Sequence, residues 1–158
     1  MSMREKAGML QKDNINIRKA DEKDAFILSQ IDKECLSSEC WSEKVFSENL
    51  KREDTITLIA ECDDKEAGFI NIIKVLDEAD INTVAVLPSF RRKGIADMLL
   101  SEIFSLCNEI NAFHLEVRES NIPAISLYKK NGFETDGMRK NFYSSPSENA
   151  ILMTKRKN

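Results

Sequence analysis

The sequence predicts a mixed α/β (α+β) fold, with one central and mostly antiparallel sheet flanked by helices. Three observations carry that prediction. Apolar residues alternate with polar ones in several short stretches, the period of a strand with one face buried. Other stretches repeat their apolar residues at three- and four-residue intervals, the period of a helix packed on one side. The longest helical stripe stands between two strand patterns in mid-chain, while polar turns join the strands on either side of it. At 158 residues the chain has the length of one domain and buries roughly 70% of its unfolded surface in a single core.

Residues 1–13 are polar and aperiodic, and are expected to be a flexible lead-in to a single domain over 14–158. Alternation over 14–18 gives a first strand. Asp21 can cap a helix bearing Ala25, Leu28, Ile31 and Cys35 on one face, and Ser42 a second helix reaching about Arg52. From Thr55 the period is two: Ile56, Leu58, Ala60 and Cys62 alternate with mostly polar neighbours, 63–66 form a turn, and 69–76 return as the partner of a hairpin. Residues 77–80 read as a turn and 81–87 as a strand ended by Pro88, which has no N–H to give a ladder. A long helix is expected from about Arg92, burying Ile95, Met98, Leu99, Ile103, Leu106 and Ile110. Phe113, Leu115 and Val117 then belong to one face of a strand, and His114 and Glu116 to the other. Asn121 and Pro123 open a helix that Asn131–Gly132 closes. Strands over 133–143 and 150–155 flank the turn-rich Ser144–Ser147.

Composition removes several classes. With 42% apolar and 32% charged residues, the chain is neither collagen-like nor low in complexity. It has no apolar run of the ~20 residues needed to cross a bilayer, and its N-terminal stretch lacks the apolar segment of a secretory signal, so the expectation is a cytoplasmic protein with no membrane partner. A net charge of −4 argues against direct nucleic-acid binding, which draws on broad clusters of Lys and Arg. Cys35, Cys40, Cys62 and Cys107 lack metal-ligand spacing and His114 is the single histidine. No metal is expected, and the thiols read as reduced and buried.

The chemistry concentrates after the 81–87 strand, in Pro88–Ser89–Phe90–Arg91–Arg92–Lys93–Gly94–Ile95–Ala96. A helix N-terminus carries unpaired N–H groups and partial positive charge, glycine lets a ligand approach the backbone, and three cations stand at the same place. Such a turn is either solvated surface or a phosphate site. No Lys-Ser/Thr follows Gly94 and no G-x-G-x-x-G occurs, so neither a Walker loop nor a dinucleotide turn is present.

The spacing Arg91-x-x-Gly94-x-Ala96 after Val84-Ala85-Val86 resembles the acetyl-CoA pyrophosphate loop of the GNAT acetyltransferase superfamily. Leu115–Asn121, Ala124, Leu127–Tyr128 and Asn131–Gly132–Phe133 are similar to the second half of that core in its RimI-like branch, the ribosomal-protein-alanine N-acetyltransferases. Trp41–Lys44 with Phe46, and Val75–Ala79, extend the resemblance over about residues 14–155. Three positions depart from the branch pattern: Cys40 stands for a common proline, Phe142-Tyr143 for a tyrosine pair, and Asn149 for an aspartate.

The resemblance implies a GNAT-type fold in which acetyl-CoA lies in a splay between two adjacent parallel strands. It implies that the backbone of Val84, Ala85 and Val86 pairs with the pantetheine arm, that Arg91, Arg92, Lys93, Gly94, Ile95 and Ala96 hold the pyrophosphate, and that Asn121 touches the CoA arm. Glu116 would be the base and Tyr128 the acid, with Trp41, Glu78 and Tyr143 touching the acceptor peptide. Each residue also has a plainer role. Glu116 can pair with Arg118 or Arg139, Tyr128 and Trp41 can fill core, Asn121 can cap a helix, and Glu78 can sit in a solvated turn.

The implied function is acetyl-CoA-dependent Nα-acetylation of a protein N-terminus, the N-terminal alanine of a small-subunit ribosomal protein, making acetyl-CoA and that peptide the partners. An α-amine, with an ordinary pKa of about 8, is roughly 10% neutral near pH 7, against about 0.04% for a lysine near 10.4, so it needs less help from a base. The alternatives are a GNAT enzyme for a small amine or a broader peptide set, and a non-catalytic acyl-CoA-binding module. Having both Glu116 and Tyr128 argues against the last.

Overall fold

The computed structural model describes residues 14–36 and 39–157, so the expected lead-in over 1–13 lies outside the described residues. In chain order the elements are β1 (Ile15–Lys19), a 3-10 turn (Glu22–Asp24), α1 (Ala25–Leu36), α2 (Glu43–Leu50), β2 (Thr55–Cys62), β3 (Lys65–Val75), β4 (Glu78–Val86), a second 3-10 turn (Pro88–Phe90), α3 (Ile95–Leu106), β5 (Ala112–Arg118), α4 (Ile122–Lys130), β6 (Glu134–Tyr143) and β7 (Glu148–Arg156). The seven strands form one sheet in the order β1-β2-β3-β4-β5-β7-β6. Every pairing is antiparallel except β4 with β5, the two strands that α3 connects. The predicted mixed sheet with one helix-linked parallel pair is the observed one.

Local chemistry sets the boundaries, and several differ from expectation. Asp21 caps the 3-10 turn ahead of α1, accepting from the Lys23 amide at 2.9 Å while Asp24 accepts from the Asp21 amide at 2.8 Å. The β2–β3 hairpin needs only Asp63 and Asp64, both left-handed at φ 51° and 66°, so β3 begins at Lys65 rather than 69. Leu76, at φ 58° and 95% exposed, turns β3 into β4. That draws 78–80, expected as turn, into the strand. Gly94 at φ 77° ends the loop before α3, so the helix starts at Ile95 and not Arg92. Ile110 falls beyond that helix yet stays buried in the core.

Alternation along β2 and β3 sends neighbouring side chains to opposite faces, and helices cover both. On one face Leu58, Ala60, Ile70 and Ile72 pack with Leu99, Leu100 and Ile103 of α3 and Tyr128 of α4. On the other, Ile59, Phe69 and Ala85 pack with Leu28 and Ile31 of α1 and Phe46 of α2. Cys62 and Cys107 are buried as expected, while Cys35 and Cys40 are only half-buried; none is in a disulfide. Among the described residues, no helix is long and apolar enough to cross a membrane.

The sheet opens in its middle. β4 and β5 pair only at Glu78–Ala112, Ala79–Phe113 and Asp80–His114, after which the strands part. On its other side β4 stays paired with β3, but Asn71 opposes Thr83 and Ile72 opposes Ile81, leaving Asn82 as an extra residue. Such a bulge bends its strand and sharpens the local twist. A buried amide anchors it: the fully buried Asn71 accepts from Asn82 Nδ2 at 2.9 Å and donates to Thr57 Oγ1 at 2.6 Å and Asn49 Oδ1 at 2.8 Å. All three of its strongest hydrogen-bonding positions are satisfied, so the bulge sits at low cost inside an apolar region.

Candidate active site

A cleft of about 690 Å³ opens where β4 and β5 part. Asp80, Ile81 and Asn82 line it from β4, His114, Leu115 and Glu116 from β5, and residues of β6, β7 and the segment before α2 complete it. Four carboxylates line it, Glu39, Asp80, Glu116 and Asp136; Arg118 pairs with Glu39, Arg139 with Glu116 and Arg156 with Asp136. The excess of carboxylate over guanidinium is small, but its sign suits a cationic amine better than an anion.

Glu116 stands on the β5 face opposite Phe113, Leu115 and Val117, which are buried at 5–6% exposure. Its Oε1 lies 3.3 Å from Arg139 Nη1, so of its two plainer partners Arg139 is the one it meets. Tyr128 occupies the other face of the sheet, 8% exposed, with its ring edge-on to Phe133 at 5.7 Å. Burial, and secondarily the nearby Tyr143, pushes its phenol up to about 12. Tyr143 lines the cleft, and burial followed by the charge of Glu116 pushes it likewise up to about 12. A phenol so shifted keeps its proton throughout the neutral range.

The expected peptide-touching residues divide. Tyr143 lines the cleft. Glu78 is the first residue of β4, not a turn residue, and its Oε1 lies 3.2 Å from His114 Nε2, while His114 Nδ1 lies 2.9 Å from Thr154 Oγ1. Trp41 does not line the cleft. Its ring packs on Phe46 at 5.3 Å and its amide donates to the buried Asp32 at 2.8 Å. The Asp32 carboxyl is raised by burial, against the lowering effect of that amide.

On the loop side, Gly94 sits at the start of α3 without a side-chain cap, and a Cβ built on it meets nothing within 4 Å. The first amides of α3 have no intrahelical acceptor and can serve an anion. Arg92 also has positive φ, at 65°, and Arg91 Nε donates to Val86 O at 3.1 Å. Ile95 is buried, anchoring the helix start to the core. Val84, Ala85 and Val86 pair with Ile70, Phe69 and Gly68 of β3 but with nothing on β5. The Val86 carbonyl is already engaged by Arg91 and by Cys35 Sγ at 3.5 Å, whereas the expectation had it facing a ligand. Asn121 caps α4, accepting from the Ala124 amide at 3.2 Å.

Glu39, Arg118 and Asp136 were not singled out as site residues by sequence. Asp136 reaches the cleft because it is an extra residue in β6, between Thr135 and Gly137. The hydrogen bond from Thr154 and then the pairing with Arg156 hold its carboxyl below the usual range. Only Arg118 had a local signal, its place on the same strand face as Glu116.

The chain matches the model of the acetyltransferase (GNAT) family over residues 24–133. It is 38% identical over 117 residues to the [ribosomal protein bS18]-alanine N-acetyltransferase of Salmonella typhimurium, covering 72% of this chain and 78% of that one. A Bacillus subtilis protein given the same name provisionally is 40% identical over 98 residues, which span 61% of this chain and 65% of that relative. The crystal structure of the ribosomal-protein-S18-alanine N-acetyltransferase from Escherichia coli superposes with a TM-score of 0.83 at 30% identity, over 90% of this chain and 94% of that one. Solved structures of the same fold include complexes with coenzyme A and acetyl coenzyme A. The opened parallel pair, the helix-start loop and these likenesses agree: the chain belongs to the GNAT family of acetyl-CoA-dependent N-acetyltransferases and is RimI-like.

Proposed function

We propose that this protein acetylates the α-amine of a protein N-terminus, most specifically the N-terminal alanine of a small-subunit ribosomal protein. Residues 14–158 would act as one catalytic domain, and the acceptor carries a cytoplasmic location with it. The observation that carries the reading is the pairing of functions across the gap. A carboxylate, Glu116, faces an acidic cleft on one side of the sheet, and a protonated phenol, Tyr128, lies on the other.

The residues present fit acetyl-CoA. The open approach to Gly94 accommodates a pyrophosphate, and the unpaired side of Val84 and Ala85 offers strand-like hydrogen bonds to an amide-bearing arm. Acetyl-CoA supplies an activated acetyl thioester. Glu116, held beside Arg139, takes the proton that the acceptor amine must lose. The amine nitrogen bonds to the acetyl carbon as the carbon–sulfur bond breaks, and Tyr128 gives its hydroxyl proton to the departing sulfur. Arg91, Arg92, Lys93 and the amides of Gly94, Ile95 and Ala96 bind the pyrophosphate, and Asn121 flanks the arm while capping α4. Trp41, Glu78 and Tyr143 act on the acceptor side, Tyr143 directly and Trp41 by fixing the segment before α2.

Release of free coenzyme A thiol, followed with a peptide that begins with alanine and carries basic residues, tests the reading. Label on the terminal nitrogen, found by mass spectrometry, is the expected result. Equal rates on the same peptide with a blocked terminus and free lysines, with the label mapped to lysine, would overturn it. Thiol release with small amines alone would move the protein to the small-amine alternative, and no release with any amine to the acyl-CoA-binding one.

A further inference from the structure

We propose that Arg118 is a positioning residue for the acceptor, tying together the two segments that wall the cleft beyond Glu116. The proposal rests on the acetyltransferase reading above. His114, Glu116 and Arg118 share one face of β5, and strand geometry places Arg118 about 7 Å past Glu116. Its guanidinium is occupied on both forks. Nη1 donates to Glu148 Oε1 at 3.1 Å and to Pro146 O at 3.1 Å; Nη2 donates to the Glu39 carboxylate and to Ser144 O at 3.2 Å. Its Cζ lies over the Tyr143 ring, 4.5 Å from the centroid.

These partners come from far apart in the chain. Glu39 lies between α1 and α2, 79 residues from Arg118, and Ser144 and Pro146 form the turn between β6 and β7. Glu39, Tyr143 and Ser144 line the cleft, and Arg118 stands behind them. With its side chain 19% exposed and those of Glu39 and Glu148 32% and 17%, the cluster is shielded enough for its charges to matter. Four N–H groups of a planar fork reach two carboxylates and two carbonyls at once, which a lysine ammonium, with three, cannot reproduce.

Two consequences follow for the acceptor. The tie fixes the Tyr143 ring and the cleft width beside Glu116. It also neutralises Glu39, so that the acceptor's ammonium is drawn toward Glu116 instead of a second carboxylate at the cleft end. Without Arg118, Glu39 becomes a competing counter-ion and the walls part.

Steady-state kinetics of Arg118→Met, Arg118→Lys and Glu39→Gln in the full chain test this, with the alanine-starting peptide and acetyl-CoA varied separately. The peptide KM should rise about tenfold in both Arg118 variants, a loss of about 1.4 kcal/mol, while the acetyl-CoA KM stays within about twofold. Glu39→Gln should shift the peptide KM in the same direction by less, and the double variant Arg118→Met/Glu39→Gln should fall short of the product of the two. Hydrogen exchange supplies a readout independent of turnover: amides of 39–42 and 144–148 should exchange faster together in Arg118→Met. An unchanged peptide KM with unchanged exchange overturns the proposal. So does a parallel fall in both KM-independent rate and thermal stability with the peptide KM unmoved, the mark of a purely structural role. Should the wild type acetylate no peptide, the functional reading fails, and coupled exchange of the two segments still decides whether the tie exists.

Discussion

Glu116 and Tyr128 belong to opposite faces of the sheet and can serve one reaction only because the strands between them part. Glu116→Gln and Tyr128→Phe preserve shape and delete proton transfer. Each is expected to lower kcat by roughly 10² to 10⁴ where chemistry limits the rate, leaving acetyl-CoA affinity, measured by calorimetry, unchanged. A wild-type kcat in either variant removes that residue from the mechanism. The chain has two tyrosines, and both are pushed up to about 12 by burial. The native protein should therefore show little tyrosinate absorbance at about pH 10, where the unfolded chain is half ionised. The sign of the linkage follows: the folded state keeps protons that the unfolded chain loses, so this stability is complete below about pH 10 and is lost as the pH rises toward about 12. Urea midpoints falling across that window, with tyrosinate absorbance rising late, are the expected pair of results. Tyrosinate appearing in the folded protein at the unfolded chain's pH would contradict the burial of Tyr128 and the half-burial of Tyr143.

At the scale of elements, the loop into α3 combines a left-handed glycine with open space. Gly94→Glu places a side chain and a negative charge where amides face outward, at a φ of 77°. It should abolish measurable acetyl-CoA binding in calorimetry, at a folding cost of roughly 1–2 kcal/mol for a non-glycine residue in that region. Gly94→Asn, whose side chain tolerates the left-handed region, separates the two effects and should retain more stability and binding. Unaltered acetyl-CoA affinity in folded Gly94→Glu would take the phosphate role away from this loop. Sequence patterns located this loop because strand, glycine and helix stripe are local. They could not locate the Asn82 bulge, since Ile81, Thr83 and Ala85 continue the strand pattern and the extra residue exists only relative to Asn71 on β3. The same holds for Asp136 on β6. Residues 78–80 read as turn in the sequence because the left-handed turn before them is made at Leu76, an apolar residue that carries no turn chemistry.

Over the whole molecule, the sheet order brings the 81–87 and 113–117 patterns together, and the resemblance marked Glu116 and Tyr128 without distances. The acidic lining of the cleft was not legible, because Glu39, Asp80 and Asp136 come from three separate parts of the chain and meet only in the fold. The parting of β4 from β5 has a further meaning. Residues 81–86 and 115–118 leave two strand edges facing each other inside a single sheet, whereas proteins ordinarily keep edges at the rim and blunt them. An interior edge is a template for strand addition. The amide-bearing arm of acetyl-CoA, on the reading above, works as a short added strand, and occupying it should close the sheet mechanically as well as chemically. At one hundred times its Kd the cofactor adds about 2.7 kcal/mol, which raises the Tm of a chain this size by roughly 5–10 °C. Heated without it, the protein should aggregate sooner than its stability alone requires, because each molecule offers neighbouring chains the same pair of edges that it offers its cofactor.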